Sequence, residues 1–466
     1  MDASPHDGSV KSRRSEPIGH PRLTLAACIL ASSLAFVDGS VVNVGLPALG
    51  RDLGGGAAGL QWVINGYLLP LTALLLLGGA LGDRIGRRRT LILGALLFAA
   101  ASLACGLAPN LAVLVAARLG QGVGAALLLP NSLAILSDTF TGEARGRAVG
   151  TWSAAGAATA AIGPVFGGWL IDGIGWRAMF LVNLPLAFGA AFLAWRYVSA
   201  DRAADDGHLD IGGAILATFG LGTMTWGLIV GSGQPGFDWQ VLTLLGVGAV
   251  LLVGFVLWER RQDDRAMMPL ALFSTRSFAG LTLLTLLLYG ALGAMLVLLP
   301  YILIEASGYS SKAAGAALLP LPLVIAVGSP VLGGLAGRIG SRPLLTAGPL
   351  VVAAGFLLLL RIGEHTAYVS TVLPGLVVAA LGMACAVAPL TTAVLGSVDE
   401  RHSGSASGFN SAVARAGSLV ATSLIGGILA ARGPALVNAF HVAIVANVVA
   451  CIAASAGGLM LEHRKG

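Results

Sequence analysis

The chain has 466 residues, of which 56% are hydrophobic and 11% are charged, and its mean hydropathy is +0.85. Soluble domains carry about 25% charged residues, so most of this surface cannot face water. The formal net charge of +6 does not indicate nucleic-acid binding, because the basic residues lie in short segments beside long apolar runs. Runs of this length with few charges are typical of membrane-spanning helices.

Fourteen apolar segments follow one another along the chain, and each is long enough to cross a bilayer as a helix. The first run is too long for the apolar region of a cleaved signal peptide, so we expect the first helix to be its own insertion signal. The segments are 22–48, 59–82, 90–108, 111–136, 147–172, 178–198, 211–231, 240–258, 277–303, 314–336, 343–361, 369–396, 406–430 and 438–460. They predict an all-α integral membrane protein with 14 transmembrane helices.

The positive charges predict the orientation of these helices. With the N-terminus in the cytoplasm, most of the 28 Lys and Arg residues fall in inner segments, as expected for cytoplasmic loops. The outer segments hold only Arg51, Arg177, Lys312, Arg361 and Arg432. An odd number of spans would place the basic C-terminus outside. The charge pattern therefore favours an even number of spans, with both termini cytoplasmic.

An internal repeat divides the chain. The residues GALGDRIGRR at 79–88 resemble GGLAGRIGSR at 333–342, and Leu46-Pro47 resembles Leu299-Pro300 at nearly the same separation. The first six spans are shorter than this separation, so two spans are inserted between the repeats. An even insertion leaves both repeats in the same orientation. The predicted organisation is an N-terminal tail at 1–21, a six-helix bundle at 22–200, two linker helices at 201–265, a second six-helix bundle at 266–460, and a C-terminal tail at 461–466.

Four motifs occur in order within the first bundle, followed by a fifth segment. They are Asp38-Gly-Ser40-x-x-Asn43-x-x-Leu46-Pro47, Gly79-x-Leu81-x-Asp83-Arg84-x-Gly86-Arg87-Arg88, Arg118-x-x-Gln121-Gly122-x-Gly124-Ala125, Gly150-x8-Thr159-x3-Gly163-Pro164-x2-Gly167-Gly168, and Trp176-Arg177-x2-Phe180-x2-Asn183-x-Pro185. On these residues the chain resembles the major facilitator superfamily and, within it, the fourteen-span drug:proton antiporter family. Thr159 stands where that family has glycine, and Ser40 stands where threonine is usual. The resemblance implies proton-coupled drug or antibiotic efflux by alternating access.

Asp38 is the only acidic residue deep within a predicted span, about 24 Å from Arg22 at 1.5 Å per residue. A buried carboxylate is costly, so it should be paired, hydrated or protonated. Arg118 lies about 10 Å into span 4, and spans 1 and 4 run in opposite directions, so the two residues reach similar depths. We expect them to communicate and to couple transport to protons. The alternatives are a fixed hydrogen bond between helices for Asp38, and bonds to backbone carbonyls for Arg118.

The charged loop after span 2 and the Gly-Pro segment of span 5 are candidates for conformational control. The resemblance implies that the loop latches the cytoplasmic side, with Asp83 facing the N-terminus of span 13 near Ser405, where the helix dipole favours negative charge. In span 5, a proline without a backbone donor beside several glycines permits a bend that controls access. The alternatives are a loop that only sets topology, and ordinary helix packing. The candidate residues are Gly79, Asp83, Arg84, Gly86, Arg87, Arg88, Asp138 as a partner of the loop arginines, Gly163, Pro164, Gly167 and Gly168.

Polar and aromatic side chains within the spans are candidates for a central substrate cavity. They are Asn43, Trp62, Asn65, Tyr67, Gln121, Asn131, Tyr301, Asn410 and Arg415. Each could equally be an interfacial anchor or a helix-to-helix hydrogen bond. A largely apolar cavity suits lipophilic molecules, and spans 10 to 13 contain no acid to bind a multivalent cation. We therefore predict neutral, anionic or singly charged lipophilic substrates, such as an antibiotic.

Other functions find less support in the sequence. It contains no Walker-type phosphate loop, metal-ligand cluster or nucleophile–base set, so we expect no cofactor, no metal, no ATP use and no enzyme activity. The proton motive force would supply the energy. The alternatives are a dedicated exporter of an endogenous metabolite or peptide, and a non-transporting membrane sensor or scaffold.

The composition also bears on where the protein acts. Arginine far outnumbers lysine, which is typical of GC-rich bacterial coding. We expect a monomer in the bacterial inner (cytoplasmic) membrane. Its partners would be protons, the lipid bilayer and a lipophilic small molecule, with no nucleic acid.

Overall fold

The computed structural model describes residues 20–199, 209–233, 238–262, 273, 275–398 and 403–461. These residues form helices joined by short turns, and no strand occurs among them. Apart from residues 20, 21 and 461, the predicted tails at 1–21 and 461–466 lie outside the described residues. The same is true of 201–208, 234–237 and 263–265 in the predicted linker.

The first six predicted spans form seven helices. They are α1 (Pro21–Leu53), α2 (Gly56–Ile85), α3 (Arg87–Gly106), α4 (Leu111–Thr139), α5 (Gly142–Gly173), α6 (Ala178–Leu181) and α7 (Asn183–Tyr197). The sixth span is divided at Val182. The division follows from Pro185, which has no N–H to bond the carbonyl of Leu181 one turn earlier.

The inserted pair consists of α8 (Ile211–Ser232) and α9 (Trp239–Gln262), which pack on each other. α8 also contacts α2, whereas α9 lies at the periphery. α9 exposes large apolar side chains such as Trp239 and Val250. An apolar surface of this kind is stable only against lipid or another protein.

The last six predicted spans form eight α-helices. They are α10 (Arg276–Glu305), α11 (Ser311–Ala317), α12 (Pro320–Ile339), α13 (Ser341–Leu358), α14 (Leu373–Gly396), α15 (Ser403–Ser423), α16 (Gly426–Ala430) and α17 (Pro434–Leu459). Spans 10 and 13 are therefore each broken into two helices. In span 10 the break precedes Pro320, which begins α12 because the first turn of a helix needs no N–H from that position.

The helix pairings of the first group recur in the second. In the first group, α1 packs on α5 and α7, α2 on α4, and α3 on α4 and α7. In the second group, α10 packs on α15 and α17, α12 on α14, and α13 on α14 and α17. The same pairs recur in the same chain order, which is the signature of a parallel repeat.

Single glycines join equivalent helices in the two groups. Gly86 lies between α2 and α3 with φ +99°, and Gly340 lies between α12 and α13 with φ +84°. Residues with a side chain rarely adopt this backbone conformation, which glycine adopts freely. The predicted loop after span 2 is therefore one residue between two helices.

Thirteen helical segments of the described chain are long and apolar enough to cross a membrane. The predicted span at 406–430 is not among them and corresponds to α15 and α16. α15 carries polar residues such as Asn410 and Arg415 and packs against α2, α10 and α14. A helix shielded by others can hold polar residues that face the protein interior. The chain is thus a multi-pass helical membrane protein, and the count of fourteen stays a prediction.

The two helix groups meet where α1 contacts α10, α2 contacts α15, and α5 contacts α11. We call the end where α1 meets α2 the Arg51 end, and the opposite end, where α2 meets α3, the Asp83 end. In the described part of the chain, the hydrogen bonds that join the groups lie at the Arg51 end. Gln61 Nε2 donates to the Ser423 carbonyl (2.8 Å), and Asn65 Nδ2 donates to Ser423 Oγ (3.1 Å). The groups are therefore closed together at the Arg51 end.

Candidate functional site

Asp38 and Arg118 form an ion pair in the interior of the first helix group. Asp38 lies on α1 and Arg118 on α4, and each side chain is 1% exposed. An Arg118 Nη1 hydrogen donates to Asp38 Oδ2. Removing either partner would leave an uncompensated charge in a dry environment, which is far costlier than losing a surface ion pair.

Polar side chains from α4 itself and from two further helices, α3 and α7, complete this cluster. Gln121 Nε2 and Asn183 Nδ2 both donate to Asp38 Oδ1, at 3.0 and 3.2 Å. Gln121 Nε2 also donates to Ser102 Oγ (2.8 Å), and its Oε1 accepts from Arg118 Nη1 (2.9 Å). The Asp38 carboxylate thus accepts hydrogen bonds from three donors, as a buried anion requires. We call Asp38, Ser102, Arg118, Gln121 and Asn183 the Asp38 cluster.

Two aromatic rings lie close to the guanidinium of Arg118. Its Cζ lies 4.5 Å from the ring centroid of Tyr67 and 5.9 Å from that of Phe180, both within cation–π range. Arg118 Nε donates to the carbonyl of Val63 (2.9 Å). Arg118 therefore pairs with Asp38 and also donates to a backbone carbonyl. The contact with Asp38 and the bond to a carbonyl, which the sequence offered as alternatives, are both present.

A small central cavity lies against this cluster, between the two helix groups. Its volume is about 120 Å³. Asn43, Tyr67 and Arg118 line it from the first group, and Ser418 and Thr422 line it from α15. Arg118 therefore touches both the buried carboxylate and the space between the groups.

Comparison with known proteins agrees with this architecture. The profile of the Major Facilitator Superfamily matches residues 28–422 and, in a second overlapping match, 281–464. The Multidrug resistance protein Stp of Mycobacterium tuberculosis is 36% identical over 413 residues, covering 88% of this chain and 76% of that protein. The puromycin resistance protein of Streptomyces alboniger is 35% identical over 407 residues, covering 86% of this chain and 80% of that protein. A bacterial homologue of the human lysosomal transporter Spinster, solved in an inward-facing and occupied conformation, has a TM-score of 0.65 at 16% identity, covering 93% of this chain and 95% of that chain.

The chain belongs to the major facilitator superfamily. It is therefore a membrane transporter. The two overlapping profile matches agree with the repeated helix pairings, since the second match begins in α10.

Four of the predicted cavity residues of this facilitator lie outside both the central cavity lining and the Asp38 cluster, and they bond to neighbouring helices or to their own helix. Asn65 bonds across to α15 through Thr422 and Ser423. The remaining three do so as follows: Asn131 donates to the carbonyls of Gly78 (2.9 Å) and Leu127 (2.8 Å), Asn410 accepts from Thr285 (2.7 Å), and Tyr301 donates to the carbonyl of Leu429 (2.9 Å). These contacts match the alternative of helix-to-helix hydrogen bonds.

The remaining predicted cavity residues differ among themselves. Asn43 and Tyr67 line the central cavity, whereas Gln121 is fully buried in the Asp38 cluster. Trp62 is half-buried and is not part of the cavity lining. Arg415, on α15, has no hydrogen-bond partner for its Nε among the described residues.

Three of the predicted charged residues at the Asp83 end bond to one another within the first helix group. Arg87 pairs with Asp83 (Nη2 to Oδ1, 2.9 Å) and with Asp138, and so ties α3 to α2 and α4. In the described part of the chain, no hydrogen bond or ion pair joins Asp83 to α15, where the resemblance placed its partner. The groups are closed at the Arg51 end, and Asp83 at the other end is 53% exposed.

The Gly-Pro segment of this facilitator lies in a continuous helix, since α5 runs unbroken from Gly142 to Gly173. A Cβ on Gly163 would lie 2.2 Å from Ser40 Oγ of α1, and a Cβ on Gly168 would lie 2.4 Å from the Ser311 carbonyl of α11. The segment therefore gives α5 close contact with α1 on one side and with the second helix group on the other. This contact lies at the closed end of the molecule.

Two residues of the Asp38 cluster were missed from the sequence. Asn183 belongs to the motif that follows span 5, but nothing in its spacing showed that its amide points at Asp38. Ser102 is an isolated serine in an apolar span, which carries no signal. A third missed residue, Asp172 at the end of α5, accepts from the backbone N–H groups of Ser311 (3.2 Å) and Lys312 (2.9 Å) at the start of α11.

Proposed function

We propose that this protein is a proton-coupled antiporter that exports lipophilic small molecules, drugs or antibiotics among them, by alternating access. The observation that carries the proposal is the placement of Arg118, which is bonded to the buried carboxylate of Asp38 and lines the central cavity. The names of the relatives, a multidrug and a puromycin resistance protein, support export of drugs.

The coupling step follows from the chemistry of the cluster. When Asp38 is ionised, Arg118 is held at the carboxylate. When Asp38 takes up a proton, the attraction between them falls, because a neutral carboxyl group offers no opposite charge. The guanidinium can then move away from Asp38 and bond to Val63, to Gln121 or to a molecule in the cavity. Protonation of Asp38 and occupancy of the cavity are thereby linked through one side chain.

The closed Arg51 end supports the alternating-access part of the proposal. With the predicted orientation, this end faces the outside, so the contacts at the Arg51 end would close the central cavity to the outside. We infer a bacterial inner-membrane protein with both termini in the cytoplasm, which works as a monomer and without nucleotide.

The substrate class follows from the charges around the cavity. Between residues 306 and 363 and between 365 and 398, the second half contains no Asp or Glu, and α15 contains none either. A multivalent cation would find no second carboxylate there. Neutral, anionic or singly charged lipophilic molecules fit this distribution better.

The test is uptake into proteoliposomes driven by an imposed pH gradient, with puromycin and a panel of neutral, anionic and dicationic compounds. We expect Asp38→Asn to abolish the response to the gradient while exchange of labelled for unlabelled substrate continues. Glu143→Gln is the matched control, because Glu143 is an exposed acid whose side chain is 88% exposed. Gradient-driven uptake that survives in Asp38→Asn would refute the coupling. Transport of a single compound in the panel would instead indicate a dedicated exporter.

A further inference from the structure

A second, larger cavity lies on the side of the second helix group, where α10, α15, α16 and α17 meet the end of α8. Its volume is about 680 Å³, within the range of roughly 300–1,000 Å³ typical of sites for drug-sized molecules. We call it the lateral cavity. It shares no lining residue with the central cavity.

The wall between the two cavities is made by α10 and α15. A Cβ on Gly417 would lie 2.2 Å from the carbonyl oxygen of Leu286, and one on Gly290 would lie 3.1 Å from the carbonyl oxygen of Gly417. The two backbones are therefore in direct contact, and no side chain separates them. The lateral cavity is a distinct compartment behind this wall.

The lateral cavity opens toward the bilayer. Its lining is almost wholly apolar, and two of its lining residues, Leu424 on the break between α15 and α16 and Val442 on α17, are 53% and 71% exposed. Exposed apolar side chains on a spanning segment are stable only against lipid or a partner. A molecule dissolved in the bilayer can therefore reach the cavity without crossing either aqueous end.

One polar group in this lining lacks a partner. Asn447, near the middle of α17, is 8% exposed, and its Nδ2 has no hydrogen-bond partner among the residues that the structure describes. The other polar side chain of the lining, Ser232, donates to the carbonyl of Ile229 (3.0 Å) and accepts from Gln61. A buried amide without a partner is costly, and the Asn447 donor is the group that a ligand could satisfy.

We propose that the lateral cavity binds a drug-sized lipophilic molecule that carries a hydrogen-bond acceptor oxygen and enters from the bilayer. Its apolar body fills the volume between α10 and α17, and its oxygen accepts a hydrogen bond from Asn447 Nδ2. A lipid acyl chain would also fill the apolar volume, but it would leave the amide unpaired. The amide therefore selects a molecule with an acceptor over a plain hydrocarbon chain.

This site stands apart from the proposed antiport. It uses neither Asp38 nor Arg118 and needs no pH gradient, so it can be tested by binding alone.

The experiment uses benzophenone, an apolar molecule with one carbonyl oxygen, which inserts into nearby C–H bonds on irradiation. The full-length protein in phospholipid nanodiscs is labelled over a range of benzophenone concentrations, and the labelled residues are mapped by mass spectrometry. We expect saturable labelling of residues that line the lateral cavity. Diphenylmethane has a similar shape without the oxygen. As a competitor of this labelling, it should need about threefold to tenfold the concentration at which benzophenone half-saturates the site.

Three variants separate the site from general partitioning into the membrane. Asn447→Leu should raise the half-saturating concentration of benzophenone about threefold to tenfold and remove its advantage over diphenylmethane. Ala446→Phe should raise the half-saturating concentration of benzophenone, because Ala446 lines the cavity beside Asn447 and the new ring takes up part of its volume. Val445→Phe is the matched control: Val445 is 50% exposed on the same helix, is not part of the lining, and should label as the native chain does.

Labelling that never saturates, or that is unchanged in Ala446→Phe, would overturn the proposal. Equal competition by diphenylmethane in the native chain would show that an acyl chain or any hydrocarbon is the occupant, and would overturn the role of Asn447. Asn447→Ser serves as a second variant if Asn447→Leu does not fold, and it should weaken binding in the same direction because its shorter side chain cannot reach the same oxygen.

Discussion

The carboxylate of Asp172 accepts a hydrogen bond of 2.9 Å from the backbone N–H of Lys312, across the boundary between the two helix groups. A negative charge at the first turn of a helix is favoured by the free N–H groups and the dipole of that helix. The end of α5 is thereby tied to the start of α11 by a group that can separate without breaking either helix. We infer that this contact stabilises the state closed at the Arg51 end.

We therefore predict that Asp172→Ala shifts the population away from this closed state. Loss of an acid at a helix N-terminus costs about 0.3–1 kcal/mol, which corresponds to a shift of roughly twofold to fivefold. The measurement is the electron–electron distance distribution between spin labels at Pro109 and His365, which are exposed on different groups at this end. Lys312→Met is the control, because it keeps the backbone N–H that bonds Asp172. An unchanged distance distribution in Asp172→Ala would show that the contact does not stabilise the closed state.

Close contact between α5 and α11 gives a second prediction. A Cβ on Gly315 would lie 2.1 Å from the carbonyl oxygen of Pro164, and that oxygen belongs to backbone that cannot easily move. We expect Gly315→Ala to lower gradient-driven uptake and the midpoint of thermal unfolding, as overpacking typically costs about 1–3 kcal/mol. The control is Gly334→Ala, since Gly334 lies in a helix with open space around its Cα. Native-like uptake by Gly315→Ala would mean that α5 and α11 can move apart to accept the methyl group without a loss of stability.

A third prediction concerns Asn183, whose amide donates to Asp38 at 3.2 Å. We expect Asn183→Leu to reduce pH-gradient-driven uptake about threefold to tenfold, because one of the three donors to the carboxylate is lost. Exchange of substrate without a gradient should change little, since Asn183 does not line the central cavity. Asn438→Leu, at an exposed asparagine of α17, controls for the added apolar side chain. Equal loss of both activities would point to a structural defect and not to the coupling step.

The fourth prediction tests the charge preference of the cavity. Arg415 lies one helical turn before Ser418, which lines the central cavity, so the two residues share a helix face. We expect Arg415→Gln to weaken inhibition of uptake by a lipophilic carboxylic acid at least about threefold, but not inhibition by its uncharged methyl ester. Arg415→Lys should preserve the preference for the acid, because it preserves the charge. If acid and ester lose potency equally, the arginine acts through packing.

The sequence predicted the helical membrane fold well, because long apolar segments and the positions of the charges depend on the bilayer and not on the details of packing. The similar depth of Asp38 and Arg118 also followed from counting residues along two antiparallel helices. The structure brings these two residues together, whereas their role in proton coupling stays a prediction.

The direction of each polar side chain around its helix could not be predicted in the same way. Successive residues of a helix point about 100° apart, so a small rotation decides between a cavity and a neighbouring helix. Asn131 and Asn410 bond to neighbouring helices for this reason, while Asn43 lines the cavity. The same uncertainty hid the approach of Asn183 to Asp38.

The single-residue joint at Gly86 has a mechanical consequence. With no loop between α2 and α3, and with Arg87 bonded to both Asp83 and Asp138, the two helices cannot swing independently of each other or of α4. Movement at one end of α2 must therefore appear at the other end as a rigid-body rotation of the whole first group. The change of access would then take place at the contacts between the two groups, while the Asp38 cluster would move with the first group without distortion.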